Sequence, residues 1–144
     1  MDVVAGIAAD EPQHAWVWER LGELKARQAR YGEAADHFRR ATEIQPQDPS
    51  LLFKRAQATF DAGQTAEAER ILGEAAGLAP DSAAILRLYA HIHESRADWA
   101  ALDKSAHAWA AAQPREPAAW RSIAKAQWET GYFRQAMQNF RHGL

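Results

Sequence analysis

Residues 15–48 read AWVWERLGELKARQARYGEAADHFRRATEIQPQD, and this stretch decides the fold. Its second half spaces apolar residues four, three and three positions apart, which is the periodicity of one face of an α-helix. These residues are Ala34, Phe38, Ala41 and Ile44. Its first half carries another helical face, marked by Trp18, Leu21, Gly22 and Lys25. Residues 29–32 interrupt the pattern between the two faces, so the stretch predicts a helical hairpin with a short turn.

Prolines recur through the chain at a fixed interval. Four of them follow a 34-residue period: Pro12, Pro46, Pro80 and Pro114. Pro49 and Pro117 are separated by twice the same interval. Because proline cannot continue a helix, a fixed interval between prolines predicts helix ends at a fixed interval. A period of this length indicates a solenoid of repeated helical units.

The 34-residue period divides a single predicted domain, residues 1–144, into four repeats. A partial leading helix is expected before the first repeat, the third repeat is degenerate and the fourth is truncated. The expected boundaries are 1–14 for the leading helix and 15–48, 49–82, 83–116 and 117–144 for the repeats. Each repeat is predicted to form one antiparallel helical hairpin that buries its apolar face against its neighbours, so the fold class is all-α.

The third repeat changes the sizes of its core residues. Where the first repeat has a small–large–small series, the third has the reverse: Leu102, Ala106 and Trp109 in place of Ala34, Phe38 and Ala41. Cores tolerate such an exchange of volume better than a net change. Because tryptophan cannot pack as closely as alanine, we expect a wider gap or a changed helix tilt within residues 83–116.

The pattern resembles the tetratricopeptide repeat family, whose signature is W-x2-L-G-x2-Y, then A-x3-F, then P. The first repeat matches with Trp18-x2-Leu21-Gly22, Ala34-x3-Phe38 and Pro46, and the fourth with Trp120-x2-Ile123-Ala124 and Ala136-x3-Phe140. At the signature tyrosine the four repeats have Lys25, Thr59, His93 and Gln127. The resemblance implies a right-handed α-solenoid, a superhelix of antiparallel helical hairpins. Its concave groove would be lined by the first helix of each repeat and would bind an extended peptide or a partner helix.

The candidate groove residues are the side chains of the first helices that the core does not use. They are Trp16, Glu19, Glu23, Phe53, Gln57, Phe60, Arg87, His91, Arg121, Lys125 and Trp128. Aromatic residues and arginine are common anchors of protein interfaces. Two alternatives stay open. Phe53 and Phe60 either face a partner or pack between helices. The basic residues toward the C-terminal half either form a positive lobe or are neutralised by Glu94 and Glu129.

One subclass of the family clamps a partner's C-terminal carboxylate with lysine and asparagine. Glu19 and Glu23 occupy positions where that clamp would need those residues. Acids there would repel a carboxylate, so we do not expect this kind of ligand.

Other function classes find little support in the sequence. The net charge of −2 argues against nucleic acid or an anionic membrane as the partner. There is no cysteine, and His91 and His93 are two residues apart, so on a helix they cannot share a metal. No catalytic, cofactor or phosphate-binding motif is present. We therefore expect no enzyme activity, no cofactor and no metal.

The sequence predicts a protein- or peptide-binding scaffold with an unidentified partner. An accessory region of a larger bacterial enzyme, such as a sulfotransferase or glycosyltransferase, is the alternative. A third option is an assembly module, in which uncapped ends pair to give a homodimer. No export signal is visible in the sequence, and we expect a cytoplasmic location.

Overall fold

A computed structural model describes residues 14–144, and these residues form eight α-helices joined by short turns. The helices are α1 (Ala15–Arg27), α2 (Tyr31–Ile44), α3 (Pro49–Asp61), α4 (Thr65–Leu78), α5 (Ala83–Ser95), α6 (Trp99–Ala112), α7 (Pro117–Glu129) and α8 (Phe133–His142). They pack as consecutive hairpins, which confirms the all-α helical-hairpin fold. The leading helix predicted within residues 1–14 lies outside the described residues, except for His14.

The prolines lie at helix boundaries, as the sequence predicts. Helices α2, α4 and α6 each end two residues before a proline of the 34-residue series. The residue between helix and proline is Gln45, Ala79 or Gln113, with ψ of 75°, 72° and 76° respectively. A residue before proline is excluded from the helical region by its contact with the proline ring. The period of the prolines is therefore also the period of the helix ends.

The second proline pair begins helices. Pro49 and Pro117 are the first residues of α3 and α7, where a missing N–H costs nothing. The preceding acids cap these helices. The Asp48 carboxylate accepts hydrogen bonds from the backbone N–H of Ser50 (2.9 Å) and Leu51 (3.3 Å). The Glu116 carboxylate accepts one from Ala118 at 3.2 Å.

The turn inside each hairpin has a left-handed residue at one fixed position. This residue is Ala29, Gly63, Ala97 or Gly131, with φ between 55° and 91°. These positions follow the same 34-residue period as the prolines. The first turn is shorter than predicted, because α2 already begins at Tyr31 and includes Gly32.

Contacts divide the chain into two compact units, one up to Ala79 and one from Pro80. Unit 1 contains α1–α4 among the described residues, and unit 2 contains α5–α8.

In unit 1, the aromatic ring of Phe38 occupies the space beside Gly22. A β-carbon on Gly22 would lie 2.6 Å from the ring, so only glycine fits there without a shift of the ring. Phe38 also packs with Ala34 and with Ala58 of α3, and all three are buried. The small residues of the repeat therefore allow the helices to approach closely at this position.

In unit 2, the third repeat buries its altered core completely. Leu102 and Ala106 have no exposed surface, Trp109 is 2% exposed, and all three share a cluster with Ala119 and Ile123 of α7. The indole N–H of Trp109 donates a hydrogen bond to the Gln113 side chain at 3.0 Å. The exchange of volumes thus produces a closed core. The wider helix gap stays a prediction.

Candidate functional site

Unit 1 has a pocket of about 300 Å³ between the first helices of its two hairpins, α1 and α3. Its apolar wall is formed by Ala26, Phe38, Phe53 and Ala58. Its polar rim is formed by Glu23, Arg27, Lys54, Gln57 and Asp61. The close packing of Phe38 against Gly22 fixes one side of this wall. The pocket combines a preformed apolar wall with charged groups around its mouth.

A lysine bridges the two helices beside the pocket. The Lys54 ammonium on α3 lies 2.5 Å from the Glu19 carboxylate and 2.9 Å from the Glu23 carboxylate, both on α1. Partial burial by itself would lower the pKa of Lys54. The hydrogen bonds to Glu19 and Glu23 outweigh that effect, so the pKa is raised above its ordinary value. The two acids therefore hold a charged lysine in place.

The two acids of the rim, Glu23 and Asp61, have further partners within the protein. The Gln57 amide donates hydrogen bonds to both oxygens of Asp61, at 3.2 and 3.3 Å. Arg20 lies 3.7 Å from Glu23 on the solvent side of α1. A molecule that enters the pocket thus meets a rim whose acids are already paired.

Three of the predicted groove residues in unit 1 line this pocket: Glu23, Phe53 and Gln57. Glu19 lies beside it and holds Lys54. Trp16 and Phe60 lie outside its lining. Trp16 is 52% exposed, whereas Phe60 is half-buried. Phe53 is half-buried as well, and its side chain forms part of the pocket wall.

The corresponding face of unit 2 is charged. The Lys125 ammonium lies 2.6 Å from the Glu94 carboxylate, and this hydrogen bond raises the pKa of Lys125. Its ammonium also lies 5.9 Å from the centre of the Trp99 ring. Neutralisation by Glu94, the second of the two alternatives, therefore holds for Lys125. A cavity of about 450 Å³ on this face is lined by Glu94, Ala118, Arg121, Ser122, Lys125 and Phe140.

The other predicted residues of unit 2 have individual surroundings. Arg121 donates a hydrogen bond to the backbone oxygen of Gly143 at 2.7 Å, so it caps the C-terminal end of α8. His91 is exposed, and its ring packs edge-on against the buried Trp109, with the two ring centres 6.1 Å apart. Trp128 is 46% exposed and packs edge-on against Phe133 at 4.8 Å. Arg87 is exposed on α5.

Lys54 is the main site residue that the sequence reasoning missed. It stands next to Phe53, and the helical-face argument selected every third or fourth residue and passed over it. Glu23 precedes Lys54 by the same interval as Glu94 precedes Lys125, although the two pairs occupy different positions of the repeat. Both pairs join the first helices of adjacent hairpins, one in each unit.

Across residues 14–144, no helix is both long enough and apolar enough to cross a membrane.

Comparison with known proteins agrees with this architecture. A family model described as a tetratricopeptide repeat matches residues 26–92. A TPR repeat-containing protein of Pseudomonas aeruginosa is 36% identical over 76 residues, which is 52% of this chain. The chain spans only 13% of the length of that relative.

Solved structures share the fold at low sequence identity. MamA superposes with a TM-score of 0.93 at 14% identity, over 97% of this chain and 82% of the MamA chain. YrrB, described as a TPR protein with an unusual peptide-binding site, gives 0.86 at 13% identity, over 97% and 72% of the two chains. The first TPR of Spaghetti (RPAP3), bound to the HSP90 peptide SRMEEVD, gives 0.78 at 21% identity, over 83% and 94%. The family model thus identifies a tetratricopeptide repeat segment at residues 26–92, and the solved structures show that the described chain has the tetratricopeptide repeat fold.

Proposed function

We propose that the chain is a peptide-binding scaffold and that the unit 1 pocket holds one apolar side chain of the partner. The observation that carries this proposal is the apolar wall between α1 and α3, which includes the ring of Phe53. Ligand sites are typically preformed concavities of about 300–1,000 Å³ with an apolar lining and a few polar groups. The pocket lies at the lower end of that range, so it suits a single side chain.

The paired rim acids favour a partner without a basic group at the point of contact. Lys54 already binds Glu19 and Glu23, and Asp61 already accepts from Gln57. A basic ligand group would have to displace one of these interactions, whereas an apolar side chain gains burial without doing so. The affinity then comes from the apolar anchor, and the rim supports backbone contacts around it.

The same pairing argues against an acidic C-terminal tail as the ligand. Glu19 and Glu23 hold the lysine that would otherwise meet a carboxylate. The HSP90 peptide SRMEEVD, bound by the Spaghetti repeat domain, is therefore a suitable negative control. We expect it to bind this chain no better than a scrambled peptide.

The experiment is selection from a random peptide library displayed on phage, followed by anisotropy measurements on the enriched peptides. We expect enriched sequences to share one large apolar residue. The variant Phe53→Ser should weaken their binding about tenfold or more. Phe60→Ser is the matched control, since Phe60 lies on the same helix, is also half-buried and does not line the pocket.

Two outcomes contradict the proposal. One is a selection that enriches nothing above background. The other is enriched peptides whose affinity is unaffected by Phe53→Ser while the variant retains the wild-type circular dichroism spectrum and melting temperature.

A role as the accessory region of a longer protein is a second candidate. It is favoured by the relative from Pseudomonas aeruginosa, of which the matched segment is only 13%. In that case the pocket would bind a segment of the same polypeptide. The enriched peptide sequences could then be sought in the complete gene product.

A further inference from the structure

Unit 2 has a pocket of about 410 Å³ between α6 and the hairpin formed by α7 and α8, called here the α6–α8 pocket. It shares no lining residue with the cavity beside Lys125. Two aromatic rings and a carboxylate lie around it together with smaller and polar side chains. Its lining residues are Trp99, Ala100, Asp103, His107, Gln127, Thr130, Tyr132 and Gln135.

The two aromatic residues of the α6–α8 pocket are held in place by the fold. Trp99 is the first residue of α6, and it is half-buried against the core cluster that contains Trp109. Tyr132 directly precedes α8, and its backbone N–H donates a hydrogen bond to the carbonyl oxygen of Gln127 at 2.8 Å. The Tyr132 side chain is 60% exposed. Both rings therefore line the pocket from anchored positions.

The repeat does not require an aromatic residue at the position of Tyr132. In the three earlier repeats this position is polar and exposed, and its residues are Arg30, Gln64 and Asp98. Arg30 and Asp98 are exposed although a further hairpin follows each of them in the same unit. Asp103 is not required either, because the corresponding residue of unit 1 is Ala35. Packing of the hairpins thus explains neither the tyrosine nor the acid of this pocket.

Hydrogen bonds within the protein leave acceptors in the pocket. The His107 nitrogen Nδ1 lies 2.7 Å from the backbone oxygen of Asp103 and 3.4 Å from its carboxylate. Both oxygens are acceptors, so Nδ1 carries the proton, and in the neutral ring Nε2 is an acceptor. The Thr130 hydroxyl donates to a backbone oxygen of the preceding turn at 2.9 Å, and the Gln127 side chain accepts from Asn139 at 2.7 Å.

Asp103 gives the pocket a negative charge that is not neutralised by a permanent cation. Within residues 14–144 no lysine or arginine lines the pocket, and the partner of Asp103, His107, is charged only when it is protonated. Lys125 lies 5.9 Å from the centre of the Trp99 ring, but it is held by Glu94 and does not line the pocket. Aromatic faces attract cations, so the rings and the carboxylate favour the same kind of ligand.

We propose that the α6–α8 pocket binds an arginine side chain of a basic peptide, with the guanidinium against the rings of Trp99 and Tyr132 and paired with the Asp103 carboxylate. A planar guanidinium stacks on aromatic rings and is more weakly hydrated than the ammonium of lysine. It also binds a carboxylate through two parallel N–H bonds. This site lies within unit 2 and does not depend on the function of the unit 1 pocket.

The test is an NMR titration of the whole 144-residue chain, labelled with ¹⁵N. The probes are the end-blocked peptide Gly-Gly-Arg-Gly-Gly and the same peptide with citrulline in place of arginine, which keeps the shape of the side chain and removes its charge. The indole N–H of Trp99 and the backbone N–H of Tyr132 report on the pocket. For the arginine peptide we expect saturable shifts with a Kd of about 1–5 mM, as for a single anchor residue. The citrulline peptide should bind about fivefold more weakly or not at all.

Variants of the chain locate the binding. Asp103→Asn should weaken the arginine peptide about fivefold. Tyr132→Gln, which installs the residue of unit 1, should weaken it about threefold or more. The matched control is Glu129→Gln, which removes an exposed acid of the same unit that does not line the pocket, and it should leave the affinity unchanged. The side chains of Asp103 and Tyr132 are both well exposed, so these variants should keep the amide spectrum of the folded chain.

Four results would overturn the proposal. The first is the absence of a saturable shift at either N–H with the arginine peptide, and the second is equal affinity for the arginine and citrulline peptides. The third is an Asp103→Asn variant that keeps its fold and binds as tightly as the wild type. The fourth is equal weakening by Asp103→Asn and Glu129→Gln, which would show a general attraction to the acids of unit 2 in place of a defined site.

Discussion

The two units build the same face from the same repeat and fill it with different chemistry. Positions two repeats apart correspond, so Phe53 of unit 1 becomes Arg121 in unit 2, and Gln57 becomes Lys125. In unit 1 the result is an apolar pocket. In unit 2 Arg121 caps α8 and Lys125 pairs with Glu94. The repeat therefore determines the position of a side chain. The chemistry of that side chain determines whether a partner can bind there.

The cores differ in the same way. Unit 1 places a large residue, Phe38, beside Gly22. The corresponding residues of unit 2 are Ala106 and Ala90, and the volume is supplied by Trp109 in place of Ala41. Each unit reaches a closed core by a different distribution of bulk, so the sizes of neighbouring residues depend on one another. Substitutions that disturb one member of a set test this dependence.

The largest effect is expected for Trp109→Ala in unit 2. Trp109 is 2% exposed, and its loss should reduce the free energy of unfolding by about 3–5 kcal/mol, as for other buried aromatic residues. The combined variant Ala90→Gly, Leu102→Ala, Ala106→Phe and Trp109→Ala installs the unit 1 pattern and should lose less. Urea denaturation measures both. A combined variant less stable than Trp109→Ala would show that the two patterns are not interchangeable.

In unit 1, Ala34→Phe should overpack the hairpin. Ala34 has no exposed surface and packs against Phe38 and Ala58. We expect a loss of about 1–3 kcal/mol, because added volume forces side chains away from their preferred rotamers. Leu102 of unit 2 occupies the corresponding position, so Leu102→Phe, which adds less volume, is the control and should cost less. An unchanged melting curve for Ala34→Phe would contradict the assigned register.

These core positions could be predicted from the sequence because each recurs up to four times at one period. Because the positions of Ala34 and Phe38 recur in later repeats, their apolar character is not a chance feature of one segment. The prolines locate the helix ends independently. Contacts that occur once are different. The Arg121 cap depends on where α8 ends, much further along the chain, and no repeat pattern reports that end. Of the candidate site, Phe53 and Gln57 were identified from helical spacing. Lys54 was missed because its partners lie on another helix.

A smaller effect on stability is expected from the ion pairs between the first helices of each unit. Lys54 serves two carboxylates and its side chain is 33% exposed, whereas Lys125 serves one and is 47% exposed. Lys54→Met leaves Glu19 and Glu23 close together without the lysine between them and should cost about 1 kcal/mol. Lys125→Met should cost about 0.5 kcal/mol or less. Urea denaturation at low and high salt is the measurement. If the two variants cost the same, the second carboxylate adds nothing to the Lys54 pair.

The smallest expected effect is a difference between the units in how stability depends on pH. His37 of unit 1 corresponds to Ser105 of unit 2, and its ring nitrogen Nδ1 is buried without a hydrogen-bond partner. Burial lowers the pKa of His37 below its ordinary value of 6.5. Lys25 on α1 and Arg40 on the same helix lower it further, against the opposing effect of Asp36 and Glu33. The unfolded chain therefore binds a proton at His37 more readily than the folded chain does.

It follows that the stability associated with neutral His37 is complete above pH 6.5 and is lost as the pH falls from there toward the lower folded pKa. The variant His37→Ser, which installs the residue of unit 2, should lose less stability than the wild type over this interval. The comparison is the difference in unfolding free energy between about pH 7.5 and about pH 5 for the two proteins. An equal loss in both would mean that His37 is solvated well enough to accept its proton in the folded state. The buried, unpaired Nδ1 would then have no energetic consequence.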